Sequence, residues 1–522
     1  MIQVKRNWFL WISLIFLALA TLIPKVPLFE IIPGYIVRGR IEDVLLSVVL
    51  GVFAMLLARQ KVTVKTPLTR WFVFYAVVGV LVMLNAMFVL HTLPLNTPHI
   101  LKMVLHFLRR LEYFSVFFLF FNAVKNRRDL RIFILVLSLI FMAVIGYGYG
   151  QKYLQWPVYS TMNREFSKGE ALVLDEFARV PSTFGGHYDM AAFAMFILTI
   201  LLSFIFFSRK KLTKISLITI FVSGFWLLIL GSSRSSFLAY LLSASSLVVL
   251  VAYYRRSIKW GISRYIVVMA FSLSVLMLFG DLSERFSQLG FVMQFKNKLY
   301  SVVTTGKQPT ATIVPTTSPV DKTDQRPVPV IKKSTPVPIA IVLPPDVYKN
   351  IPDKKTITAT EGGKIVTKVV EVGREFSMCS YVYGLSACIR FESLWPRAVN
   401  GFLRNPFLGS GFSTLTKAKF DEFSEAESTD NDFLRNLGES GVLGVIGFYG
   451  PMFYFVYRTF KFISSDTSRE VVALNLGIVA GILGMFLNAN YIDVFEASKV
   501  AFMFWAVLGV GFASMEMDQK KL

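Results

Sequence analysis

The feature that most constrains this chain is a series of long apolar runs separated by short loops dense in Lys and Arg. A helix needs about 20 apolar residues to cross the hydrocarbon core of a bilayer, where every backbone polar group must be satisfied internally. Twelve runs approach that length, at 8–23, 41–58, 70–90, 104–124, 130–150, 187–207, 213–231, 234–253, 264–281, 437–457, 470–489 and 495–514. The pattern predicts an all-α polytopic membrane protein of about twelve transmembrane helices. One large extracytoplasmic loop lies between the ninth and the tenth. Charged residues make up 17% of the chain, below the roughly 25% usual for soluble domains. A net charge of +22 would suggest nucleic acid in a soluble protein. Here much of the charge falls in the short loops, so it reads as a topology signal. The expected partner is the lipid bilayer, with no nucleic acid.

The basic loops alternate along the chain. One side carries Lys5 and Arg6; Arg59, Lys61, Lys65 and Arg70; and Lys125, Arg127, Arg128 and Arg131. It continues with Arg209, Lys210, Lys211 and Lys214; Arg255, Arg256, Lys259 and Arg264; and Arg458, Lys461 and Arg469. Lys and Arg are retained on the cytoplasmic side of membranes. Both termini are therefore expected in the cytoplasm, and loops 24–40, 151–186 and 282–436 outside. No secretory cleavage pattern follows the first run, so it is expected to stay as a helix. Three parts result: a nine-helix bundle at 1–281, the outer loop at 282–436, and three C-terminal helices at 437–522.

Within the outer loop, 304–370 is rich in Pro, Thr, Val and Lys. That composition favours extended, poorly packed backbone and reads as a spacer. Alternation around Gly362-Gly363 allows a hairpin over Thr356–Val372. Cys379 and Cys388 also fall in this loop; a disulfide suits an oxidising exterior, and two free thiols suit the sequence equally. No metal-ligand cluster accompanies them, and neither GxxxxGK[ST] nor a helix-opening GxGxxG occurs. No cofactor is implied.

Composition becomes globular again over 374–436, which leads into the densest charged stretch, Arg390 to Gly444. It sets Arg390, Arg397, Arg404, Glu392, Asp430, Asp432 and Glu439 around a Pro-Phe-Leu-Gly-Ser-Gly turn. Gly409 and Gly411 let that backbone fold sharply and approach a ligand closely. Charges near a bilayer are functional candidates. Arg234 lies in a tight Gly-Ser-Ser-Arg turn that reads either as an anion-binding mouth or as a snorkelling helix end. Arg179 precedes Gly185-Gly186-His187, where a helix start can present amides to an anion; His187 also reads as a plain interfacial residue. Arg109 and Arg110 clamp a lipid headgroup, or Arg109 neutralises itself against Glu112 one turn on. Guanidinium forks from separate segments suit an anion with several oxygens. Outside the cell there is no ATP, so a reaction there needs a substrate already activated. A polyprenyl-diphosphate sugar is one, with arginines stabilising the departing charge.

Those blocks resemble a known family. Arg390, Trp395, Ala398 and Pro406-Phe407-Leu408-Gly409-Ser410-Gly411 are similar to a signature block of the O-antigen ligase and O-antigen polymerase superfamily. Asp430-Asn431-Asp432-Phe433-Leu434, with Glu439, Gly441 and Gly444, resembles its second block. Arg179 to Phe193 and the run Gly231 to Leu242 resemble two more. The resemblance covers roughly 170 to 515. It implies a metal-independent, inverting-type glycosyltransferase at the outer face of the bacterial cytoplasmic membrane, using an undecaprenyl-diphosphate-linked (polyprenyl-diphosphate) glycan donor and a glycan or lipid-linked acceptor. It implies catalytic roles for Arg234, Arg390 and Asp430. Arg179, His187, Arg397, Asn431, Asp432 and Glu439 would bind substrate, and the charges near the bilayer add Arg109 and Arg110 to that set. The family's loop histidine is replaced by Asp430, which tilts the expectation from ligase to polymerase. A carboxylate raised in pKa by burial can act as base; Asp430 also reads as the cap of the tenth helix. The alternatives are a flippase or exporter of lipid-linked oligosaccharide, a protein O-oligosaccharyltransferase, and a wall-binding sensor. A transporter should show internal repeats, and none is evident.

Overall fold

The computed structural model describes residues 7–32, 38–162, 169–175, 178–278, 353–361, 364–372, 390–415, 428–463 and 467–519. Nine helices come first: α1 Trp8–Leu22, α2 Ile41–Ala58, α3 Thr69–Leu84, α4 Thr97–Ala123, α5 Arg127–Tyr153, α6 His187–Phe207, α7 Lys211–Leu230, α8 Arg234–Arg255 and α9 Ile258–Leu278. Among the described residues four more follow: α10 Trp395–Arg404, α11 Asp432–Phe462, α12 Arg469–Ala489 and α13 Ser498–Gln519. The starts follow from local side chains. Asn7, Asn126, Ser233 and Asn431 each accept a hydrogen bond from an amide in the first turn of α1, α5, α8 and α11, satisfying a donor that the helix leaves open.

Ten of these helices are long and apolar enough to cross a membrane. The other two expected spans differ for clear reasons. Helix α1 has 15 residues, and α4 carries Lys102, Arg109, Arg110 and Glu112 along its 27. The tenth expected span begins at Asp432 rather than 437, because Asn431 supplies the cap. The last begins at Ser498 rather than 495, which lengthens the loop after α12.

Helices α6, α12 and α13 form the centre and are almost wholly buried, whereas α2 and α9 are largely exposed. Those central helices are apolar around their whole circumference, as a buried helix must be. Aromatic rings fill the space between α3, α4, α11 and α13. Phe72 stacks on Phe114 at 4.6 Å, and Phe114 meets Trp505 edge-on at 4.8 Å.

Among the described residues, two hairpins interrupt the helices. β1 (Pro27–Glu30) pairs antiparallel with β2 (Arg38–Arg40) in the loop after α1, an element too short to leave a periodic signal. β3 (Asp353–Glu361) pairs with β4 (Lys364–Val372), with Glu361 opposite Lys364. This is the hairpin the Gly-Gly turn allowed, three residues longer at its start. The rest of the proposed spacer, 304–352, lies outside the described residues, as do Cys379 and Cys388.

One end of the bundle is tied by Asn7 to Ala123 and Asp129, by Arg127 to Asp518 and by Arg131 to Glu470. The opposite end gathers the described residues of loops 24–40 and 151–186, and residues 390–415 and 428–431, with the turn after α12.

Candidate functional site

At that end lies a cavity of about 430 Å³. One wall presents Lys25, Arg40 and Arg109, with Gly185, Gly186, Tyr188 and Asp189 from the start of α6. The lining also includes Ser428, Asp430, Arg435, Asp493 and Glu496, and Leu105, His106 and Tyr113 of α4.

The acidic side is built around Asp493. Its carboxylate accepts from the amides of Thr429 and Asn431 at 3.0 and 2.9 Å and from Arg435 at 2.9 Å. The Ser428 hydroxyl lies 2.8 Å from both Asp493 and Asp430. This wraps 428–431 over the α12–α13 loop and puts Asp430 in the left-handed region, φ 51°. Asp430 tolerates that region better than most residues. Its carboxylate pairs with Arg390 at 3.0 Å and remains about one-third exposed. Burial raises its pKa and Arg390 only partly offsets this. The cap of α11 is Asn431, whose side chain accepts from the Leu434 amide at 2.9 Å. The alternative reading of Asp430 as that cap is therefore overturned.

Beneath the cavity runs a buried ionic brace. Arg110 donates to Tyr75, Asn436, Glu439 and Glu496 at 3.0, 2.7, 2.8 and 2.8 Å. Arg435 stands 3.5 Å from Glu439, and Asp432 accepts from the Phe495 amide at 2.8 Å. In the loop between α12 and α13, burial would push Glu496 up, but Arg110 and Arg435 outweigh it and hold the carboxyl down at about 2. Unpaired charges buried this deeply would cost several kcal/mol, and Arg110 and Glu439 pair with each other here; Asp432 is buried beside them with its Oδ1 lacking a hydrogen-bond partner, and none of the three lines the cavity.

The glycine turn serves the same brace. Gly409 and Gly441 both have positive φ, and a Cβ on either would fall within about 2.5 Å of the other segment's backbone. The amides of Ser410, Gly411 and Ser413 donate to the carbonyls of Gly438 and Glu439 and to the Glu439 carboxylate. The close approach that the sequence suggested for a ligand is thus made to α11.

The remaining expected residues divide. Arg109 lines the cavity while paired with Asp43 and with Glu112, the latter at 3.0 Å. Arg179 donates to Nε2 of the buried His187 at 2.6 Å and to the Tyr188 hydroxyl at 3.1 Å, so it backs the cavity through Tyr188. Arg234 and Arg397 are not among the lining residues. Arg234 is exposed at the start of α8. Ser236, two residues on, donates to Asn488 at 3.1 Å, and Arg390 donates to the Tyr491 carbonyl at 3.1 Å. The two arginine-bearing segments therefore meet the same end of α12.

Sequence reasoning missed Lys25, Arg40, Arg435, Asp493, Glu496 and Lys499. Lys499, on α13, donates to the carbonyls of Thr21, Ile23 and Thr183 at 2.9, 2.5 and 2.6 Å, and the neighbouring Ser498 donates to Glu42 at 2.6 Å. A lysine at the start of an apolar run was the signal. Lys25 is buried, with Asp189 at 3.8 Å; burial lowers its pKa and Asp189 partly restores it.

No protein-family model matches the chain, and no curated protein is similar enough in sequence to be named as a relative.

Proposed function

We propose that this chain is a glycosyltransferase of the bacterial cytoplasmic membrane, transferring or polymerising glycan from a polyprenyl-diphosphate-linked donor at the outer face. The reading places twelve helices across the bilayer, both termini in the cytoplasm and loop 282–436 outside. It draws on the resemblance of the Arg390–Gly411 and Asp430–Gly444 blocks to O-antigen ligases and polymerases. The observation that carries it is a cavity lined by both cations and carboxylates, at the end of the bundle whose loops the basic-residue pattern assigns to one side. Cations share that lining with a carboxylate, Asp430, whose pKa burial raises while Arg390 holds it in place.

In the proposed reaction an acceptor hydroxyl gives its proton to Asp430 and its oxygen bonds to the anomeric carbon. The bond from that carbon to the diphosphate oxygen breaks, and the pair of electrons leaves with the polyprenyl diphosphate. A single displacement inverts the anomeric centre. Cations stabilise charge that develops only as the bond breaks, which is where such groups accelerate a reaction. Asp430 must be ionised to accept the proton, and a raised pKa improves it as a base. The test is transfer from a purified polyprenyl-diphosphate oligosaccharide by protein in detergent or liposomes. Wild type should form elongated glycan, whereas Arg390→Ala and Asp430→Asn should form none while remaining folded. Transfer by both variants at the wild-type rate would remove the assignment.

A further inference from the structure

We infer that Lys25 and Arg40, from the loop that joins α1 to α2, form with Arg109 and the start of α6 the subsite that grips the donor's diphosphate. The identity of the anion rests on the reaction proposed above; the placement of the subsite rests on the cavity.

Three observations assign it. First, the lining charges cluster: Lys25, Arg40 and Arg109 share the start of α6 with one carboxylate, Asp189, whereas Asp430, Asp493 and Glu496 lie with the α11 and α12 ends around one cation, Arg435, which is already bonded to Asp493. A dianion seated by the acidic side would meet three carboxylates.

Second, the lining cations are not equally committed. Arg435 bonds Asp493 at 2.9 Å, and Arg109 bonds both Asp43 and Glu112. Lys25 faces Asp189 at 3.8 Å and Arg40 faces Glu42 at 3.7 Å, too long for hydrogen bonds. These two loose pairs hold the cations ready without consuming their donors. An entering diphosphate gains charge-assisted bonds there with little to break.

Third, α6 is a full-length helix whose first turn reaches this wall. Gly185 and Gly186 line it, and a Cβ on Gly185 would meet the Lys25 side chain at 3.0 Å and Thr161 at 2.1 Å. The absent side chains keep the backbone against the cavity, and amides at a helix start favour an anion. A volume of about 430 Å³ is in the range of small-molecule sites, roughly 300–1,000 Å³.

The experiment measures binding of farnesyl diphosphate and farnesyl monophosphate to the purified full chain in nanodiscs. Wild type should prefer the diphosphate. Lys25→Met and Arg40→Gln should each weaken diphosphate binding by roughly tenfold or more, the loss of a charge-assisted bond. Arg40→Lys should recover part of it, and Arg131→Gln, at the opposite end of the bundle, should bind as wild type does. If wild type binds but Lys25→Met and Arg40→Gln bind equally well, the subsite is wrong and the proposed reaction stands. If wild type shows no preference for the diphosphate, the reaction falls and the subsite with it. A second readout needs no variant: phenylglyoxal labelling of Arg40, followed by mass spectrometry, should slow in the presence of farnesyl diphosphate. Unchanged labelling at saturating farnesyl diphosphate overturns the assignment.

Discussion

Replacing Glu496 by Gln isolates the electrostatics of the brace. The substitution keeps the shape and one acceptor oxygen, so packing changes little and the lost charge dominates. Arg110 donates to this carboxylate at 2.8 Å, and the side chain is only 14% exposed. Burial acts against ionisation there, yet Arg110 and Arg435 lower the pKa from 4.5 to about 2. Each unit is worth about 1.4 kcal/mol, so the ionised form is favoured by about 3 kcal/mol over its state in the unfolded chain. Removing one member of a buried pair independently costs about 3–5 kcal/mol, and the two agree. The sign with pH follows from a depressed carboxyl. Its contribution is complete above the unfolded value near 4.5 and is lost as the pH falls towards about 2. Equilibrium unfolding in mixed micelles should find Glu496→Gln about 3 kcal/mol less stable at neutral pH. The gap should close as both proteins are acidified. A variant within about 0.5 kcal/mol of wild type at neutral pH, or a gap that acidification leaves unchanged, would refute this account of the brace.

Other predictions follow from the same geometry. Asp430→Asn should abolish transfer and Asp430→His should retain part of it; full activity in Asp430→Asn would leave that carboxylate without a chemical role. The transfer rate should rise with pH through a value above the ordinary 3.8 of an aspartate, because burial raises Asp430 and only its ionised form accepts a proton. A rate that falls as the pH rises across that range contradicts it. Asn431→Ala removes the α11 cap and should cost about 1 kcal/mol in thermal or denaturant unfolding. Gly441→Ala should cost more than the roughly 1–2 kcal/mol of a left-handed backbone, because its Cβ would stand 2.4 Å from the Phe407 backbone. Wild-type stability in that variant would show that α10 and α11 separate freely.

The membrane bundle was legible because twenty apolar residues in a row leave a helix few alternatives, and the loop charges bracket each run. Helix ends were less legible: α11 starts at Asp432 because Asn431 turns its side chain onto the Leu434 amide, a local competition that hydropathy does not register. In the site, Asp430 and Arg390 were found through the resemblance and do pair. Lys25 and Arg40 were counted neither as topology markers nor as site residues, since nothing in the linear order sets them beside Asp189 or Arg109. The glycine turn was recognised as a close-approach element, but its partner is a helix arriving some thirty residues later, visible only once Gly409 meets Glu439. Arg110 was singled out as a charge in the membrane zone. That all its partners are protein groups requires the fold.

The brace also has a consequence for how the chain is made. Arg110 emerges from the ribosome in the first quarter of the sequence, whereas Asn436, Glu439 and Glu496 follow 326, 329 and 386 residues later. Until α11 and the loop after α12 have been synthesised, a half-finished bundle holds a guanidinium whose three latest partners do not yet exist. The insertion machinery, or water at the unfinished seam, has to shelter that charge meanwhile. Truncation before α11 should therefore yield a chain that quality-control proteases recognise, however apolar its first nine helices are.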